Sequence, residues 1–257
     1  MSPARPALLA LSALLAAPAG AQIATDRPGF GFSPQVVDRG TVQVEAGIPQ
    51  ATRTDASVGP VDASVTRYAF PVQLRYGLSE TVELRAGTSV YDVTRLSVDT
   101  PVGDGSDSDG DAGFDVVEVG AKVQLATNGP IVALLPSLLV PTTEAGDLGG
   151  AVRAVAGFAL TDRVGLTTVL GATVTDTDPD RDVRAEAVAV VSTSLADALS
   201  GYAEVAAFPG DGGTPAYAGG GLLVLLNPDV QLDASLDVGL TDEADDLVFG
   251  AGLSFRF

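Results

Sequence analysis

A chain of 257 residues with 33 Asp and Glu, 14 Lys and Arg, no Cys and no His carries a net charge of −19. That charge argues against nucleic-acid binding, because a phosphate backbone demands a basic surface. The missing His removes the commonest metal ligand and the general base of Ser-His-Asp hydrolases and of His-dependent barrel enzymes, and the missing Cys means that something other than disulfides holds the fold.

The chain opens Met-Ser-Pro-Ala-Arg, runs through an apolar stretch from Ala7 to Ala17 and reaches Ala19-Gly20-Ala21. This stretch is too short to span a bilayer and ends on small residues, which predicts a signal peptide over residues 1–21, cut after Ala21. Residues 22–39 show no strand alternation, and Pro28 and Pro34 disfavour regular structure, so they predict an extended N-terminal arm on the periplasmic side. No later stretch reaches 18 apolar residues, yet mean hydropathy is +0.30. The apolar residues must therefore be spread evenly, as they are in a lipid-facing barrel.

From Gly40 onward, segments of about ten alternating residues recur, which is the transmembrane β signature. In residues 41–50, Val42, Val44, Ala46 and Ile48 oppose Gln43 and Glu45. In residues 67–76, Tyr68, Phe70, Val72, Leu74 and Tyr76 oppose Arg67, Gln73 and Arg75. Residues 82–91 place Glu83 and Arg85 on the inner face, and residues 115–125 place Glu118, Lys122 and Gln124 there. Further strands are expected at 131–141, 152–160, 164–175, 183–195, 201–208, 216–226, 230–240 and 247–257, giving about twelve. Every second connection is a tight turn (77–80, 127–130, 161–163, 196–200 and 227–229), while the others, including 51–63 and 92–114, are mostly longer and rich in Asp and Gly. The expected fold is all-β, a closed antiparallel barrel over residues 40–257 with short turns on the periplasmic rim. A soluble sandwich has no reason to alternate loop lengths in this way.

Within the expected loop 92–114, Asp107, Asp109, Asp111 and Glu118 fall at the first, third, fifth and twelfth positions of a calcium-loop pattern. Ala112 stands where that loop needs Gly, so a solvated acidic loop is the favoured reading and no metal is expected. The final strand carries Phe249, Leu253, Phe255 and Phe257 on one face, and Phe255 with Phe257 forms an expected assembly signal for the barrel assembly machinery.

The opening Ile23-Ala-Thr-Asp-Arg-Pro-Gly-Phe30, with Ser33-Pro34, Val37, Gly40 and Gln43-Val-Glu-Ala-Gly47, resembles the phenol-degradation meta-pathway family of outer-membrane transporter-like proteins. The resemblance continues through Leu74 to Arg85, Leu134 to Leu138 with Pro141, and Gln231 to Leu240 to the end of the chain. It implies an outer-membrane barrel with a transport role, and the phenol label is not a demonstrated substrate. The absence of Trp departs from the usual aromatic girdles.

Twelve strands about 4.8 Å apart and tilted about 40° close at a radius of roughly 12 Å, which leaves a narrow lumen. Its expected basic lining is Arg67, Arg75, Arg85, Lys122, Arg153, Arg184 and Arg256, and its acidic lining Glu45, Glu83, Glu118, Glu186, Glu204, Asp233 and Asp237. The arm residues Asp26, Arg27, Pro28 and Phe30 are expected to enter the mouth, where Glu45, Arg75 and Arg85 offer partners, and to narrow it. The function these features favour is passive passage of small, apolar or aromatic solutes, with outer-membrane lipids as surroundings, no cofactor and no catalytic residue. The alternative is a closed structural barrel whose acidic loops shield or attach.

Overall fold

The computed structural model describes residues 23–111, 116–142, 148–177 and 180–257. The expected signal peptide lies outside the described residues. Among these residues there are thirteen strands and no helix: β1 (Val42–Val58), β2 (Val61–Gly77), β3 (Val82–Thr100), β4 (Gly103–Asp111), β5 (Val116–Ala126), β6 (Ile131–Pro141), β7 (Gly149–Ala159), β8 (Val164–Thr177), β9 (Asp180–Ala196), β10 (Leu199–Ala207), β11 (Ala216–Asn227), β12 (Val230–Gly239) and β13 (Leu247–Arg256). Each pairs antiparallel with its neighbour. β1 pairs with β13, for example Gln43 with Arg256 and Val44 with Phe255, and this seam closes the sheet. The barrel has twelve strands, because β4 stands outside it.

Alternation decides which face of each strand meets solvent. On β12, Gln231, Asp233, Ser235 and Asp237 are buried inside, while Leu232, Leu236 and Val238 are exposed outside. Similar outward apolar residues, such as Leu74, Leu84, Leu170 and Leu222, form a belt round the barrel. The stacked rings of Phe255 and Phe257 lie on β13 and the residue that follows it.

The expected loops 51–63 and 92–114 are largely paired strand, which corrects the earlier boundaries. β1, β2 and β3 are 17, 17 and 19 residues long, whereas a tilted strand crosses a bilayer in about 9–11. The surplus projects past the rim as a sheet. β3 forks there: Val82–Gly87 pairs with β5, and Asp92–Thr100 pairs with β4. β1 and β2 turn at Gly59, whose φ of +62° suits the missing Cβ. Alternating Asp, Ser and Gly made residues 104–111 look like loop, but pairing with Val93, Leu96 and Val98 of β3 overrides that weak propensity. A register shift between Ala46 and Gln50 includes Pro49, which has no N–H to donate to the ladder, and inverts the inward set on the rest of β1.

Candidate functional site in the barrel lumen

Residues 23–39 enter the bore from the short-turn rim, turn back near Phe30 and leave beside Gly77, where Arg39 forms a parallel bridge. Within the arm the Ser33 N–H donates to Asp26 Oδ1 at 2.7 Å, and the wall supplies further partners for its backbone. The Ile23 N–H donates to Gln231 Oε1 at 3.1 Å, Gln43 Nε2 donates to the Ala24 carbonyl at 3.1 Å, and Gln124 Nε2 donates to the Pro34 carbonyl at 3.3 Å. Gln43 and Gln124 stand on the faces expected inward; Gln231, not singled out from the sequence, continues the alternation of Asp233 and Asp237.

The first charged group centres on Arg75, which is fully buried. Its guanidinium donates to Glu45 at 2.8 Å, twice to Glu83 at 2.8 Å, and to the carbonyls of Ala24 and Gln35 at 2.7 and 3.2 Å. Asp26 lies against Arg85 at 2.5 Å and Lys122 at 3.2 Å, and its own N–H donates to Glu45 at 3.0 Å. Arg85 also donates to Glu83 at 2.7 Å, and Glu83 accepts the Val37 N–H at 2.8 Å. Arm and wall thus satisfy one another's polar groups. Beside this group, Arg27 pairs with Asp233 at 3.3 Å and donates to the Ala251 carbonyl at 3.0 Å.

The opposite wall carries an apolar patch. Ala133, Leu135, Val155, Val169, Val188 and Ala206, from five successive strands, pack with Phe30, Phe32, Val190 and Phe208. The arm tip sits in an aromatic cluster, with the Phe30 ring 5.3 Å from Phe208 and 5.0 Å from Tyr217. Phe32 lies between two cations, 5.0 Å from Arg153 and 5.9 Å from Arg85. Arg153 in turn bonds Glu186 at 2.9 Å and Glu118 at 3.0 Å. Pro28 is buried beside Ser235, and Glu204 accepts the Phe30 N–H.

On the long-connection side of the arm lies a cavity of about 640 Å³, bordered by Arg85, Glu118 and Arg153 and by Phe32, Leu135 and Leu139. A second of about 380 Å³ shares Arg153 and includes Arg184, Glu186 and Phe208.

Two expected lining residues stand elsewhere. Arg67 shares the inward parity but is exposed, because its part of β2 belongs to the projecting sheet. Arg256 sits at the short-turn rim, bonded to Asp229 at 3.2 Å and to the Pro228 carbonyl at 3.0 Å. The calcium pattern is not assembled either. Asp107 and Asp109 lie on extended β4, Glu118 faces Arg153, and among the described residues no three acidic, His or Cys side chains group to hold a metal. The Asp111 side chain lies outside the described residues.

The model of a family described as "Putative MetA-pathway of phenol degradation" matches residues 25–257. The chain belongs to this family. No curated protein matches it. Among solved structures, it is similar to an outer membrane channel from Pseudomonas putida F1, at 14% identity and a TM-score of 0.59, covering 90% of this chain and 99% of that one. It is also similar to the NanC porin, at 11% identity and a TM-score of 0.51, covering 84% and 100%. A third similar structure is the transport unit of the autotransporter AIDA-I from Escherichia coli, at 8% identity and a TM-score of 0.55, covering 86% and 91%. This family member therefore has the outer-membrane barrel fold.

Proposed function

We propose that the protein is an outer-membrane channel or facilitator for passive passage of small solutes, with the N-terminal arm as its constriction. The observation that carries this is the divided bore. A chamber in whose lining the apolar Phe32, Leu135 and Leu139 alternate with the charged Arg85, Glu118 and Arg153 suits small apolar or aromatic solutes that keep one polar group. The channel and porin named among the similar structures agree with such a role. In this reading a signal peptide exports the chain, Phe255 and Phe257 present it to the assembly machinery, the short-turn rim faces the periplasm, and no step is catalytic.

The test is solute flux through the folded protein in liposomes and planar bilayers. Swelling with small phenolic solutes, faster than with sugars of similar size, is the expected result. No swelling with any small solute and no single-channel events would overturn the reading and leave a closed structural barrel.

A further inference from the structure

The buried acids of the bore differ in one respect. Asp26, Glu45 and Glu83 face Arg75, Arg85 and Lys122; Asp233 faces Arg27; Glu186 faces Arg153. Glu204 on β10 and Asp237 on β12 are 4% and 1% exposed, and no Lys or Arg among the described residues forms an ion pair with either. Between their strands, β11 offers Gly219 and Gly221 on its inward side. A Cβ on Gly219 would strike Asp237 Oδ1, and one on Gly221 would strike the Tyr202 ring, so both side chains lie over this bare strip. A Cβ on Gly29 of the arm would likewise strike the Glu204 carboxylate and Tyr202 Oη, which places these two oxygens side by side.

Hydrogen bonding leaves this niche incomplete. The Phe30 N–H donates to both Glu204 oxygens at 3.2 and 3.1 Å, which occupies only part of their capacity. Asp237 Oδ1 and Tyr202 Oη are shut off from solvent and have no hydrogen-bond partner. Glu204 and Asp237 are the cross-strand partners of Gly219 on its two sides, and two buried carboxylates so placed, without a positive charge, are strongly disfavoured. Something with positive charge belongs there. We propose that Glu204, Asp237 and Tyr202 Oη hold a hard divalent cation of the Ca²⁺ kind. Two carboxylates balance its charge, and an all-oxygen donor set selects hard ions over thiolate- or imidazole-seeking ones. The bound ion ties β10 to β12 and, through Glu204, to the arm tip.

The chain has no Trp, so Tb³⁺ placed beside Tyr202 can be excited through that ring with little background. For the full protein folded in detergent, the expected result is saturable Tb³⁺ emission that excess Ca²⁺ removes, and an unfolding temperature that rises with Ca²⁺. Asp237→Asn weakens Tb³⁺ binding by about tenfold or more and abolishes the Ca²⁺ effect on unfolding, the loss of one charged ligand being worth at least that factor. Tyr202→Phe loses most of the emission and keeps a Ca²⁺ effect on unfolding. If Asp237→Asn does not fold, as judged by its gel mobility before and after boiling, Glu204→Gln is measured in the same assays. Emission equal in wild type and variant, as from exposed acidic residues of the projecting sheet, overturns the proposal. So does an unfolding temperature insensitive to Ca²⁺; with Asp237→Asn more heat-resistant than wild type, it identifies a proton shared by the two carboxyls instead.

Discussion

The two sides of the bore hold the same arm by different physics. On the side of β1, β2, β3 and β5, Arg75, Arg85 and Lys122 lock Asp26, Glu45 and Glu83 into a buried network whose members depend on one another. On the side of β6 to β10, Leu135, Val155, Val169 and Val188 receive the Phe30 and Phe32 rings by apolar contact, with Glu204 accepting the Phe30 N–H and Arg153 over the Phe32 ring. A charge network is intolerant of losing one member, whereas an apolar wall loses stability in proportion to what is removed. The polar side fixes where the arm sits, and the apolar side leaves a surface along which a solute can pass.

The sharpest way to break this comparison is Arg75→Met. It leaves Glu45 and Glu83 buried without their main partner and is expected to destabilise the folded barrel by about 3–5 kcal/mol in urea titrations in lipid vesicles. A change below about 1 kcal/mol would show that the network is not a unit. Leu135→Ala, on the apolar side, removes packing next to an existing cavity and is expected to lose about 2–3 kcal/mol by the same titration. Phe30→Ala takes the arm tip out of the cluster with Phe208 and Tyr217. A loss of about 1–2 kcal/mol, below that of a fully buried Phe, should accompany a larger single-channel conductance. The smallest effect belongs to Arg53→Gln in the projecting sheet, whose pair with Asp55 is half exposed on both sides; no measurable change in stability is expected.

The same contrast explains how much the sequence discloses. On β12, polar residues alternate with Leu232, Leu236 and Val238, so the inward set is evident from parity. On β6, Ile-Val-Ala-Leu-Leu is apolar on both faces, and nothing in the pattern says that Ala133 and Leu135 point inward. The charged lining was therefore legible and the apolar lining was not. Arg67 and Arg256 obeyed parity but lay beyond the reach of the bore, because parity gives a face and not a depth. Strand β4 was missed because Asp, Ser and Gly have low strand propensity and only its partner β3 makes it a strand. Of the arm's partners, Gln43 and Gln124 were legible as inward by parity, whereas the uncharged Gln231 was not singled out, and nothing in the pattern said that any of them meets the arm's backbone.

The most direct test of the arm's place between the two walls uses the absence of native cysteine. A Cβ on Gly31 lies 3.8 Å from Val190 Cβ, the usual separation across a disulfide. In the Gly31→Cys, Val190→Cys double variant, oxidation of the folded protein is predicted to give one intramolecular disulfide, recovered as a cross-linked peptide, with conductance held at the wild-type level. Two free thiols that both label with maleimide after oxidation, in a barrel that remains folded, would contradict an arm seated in the bore.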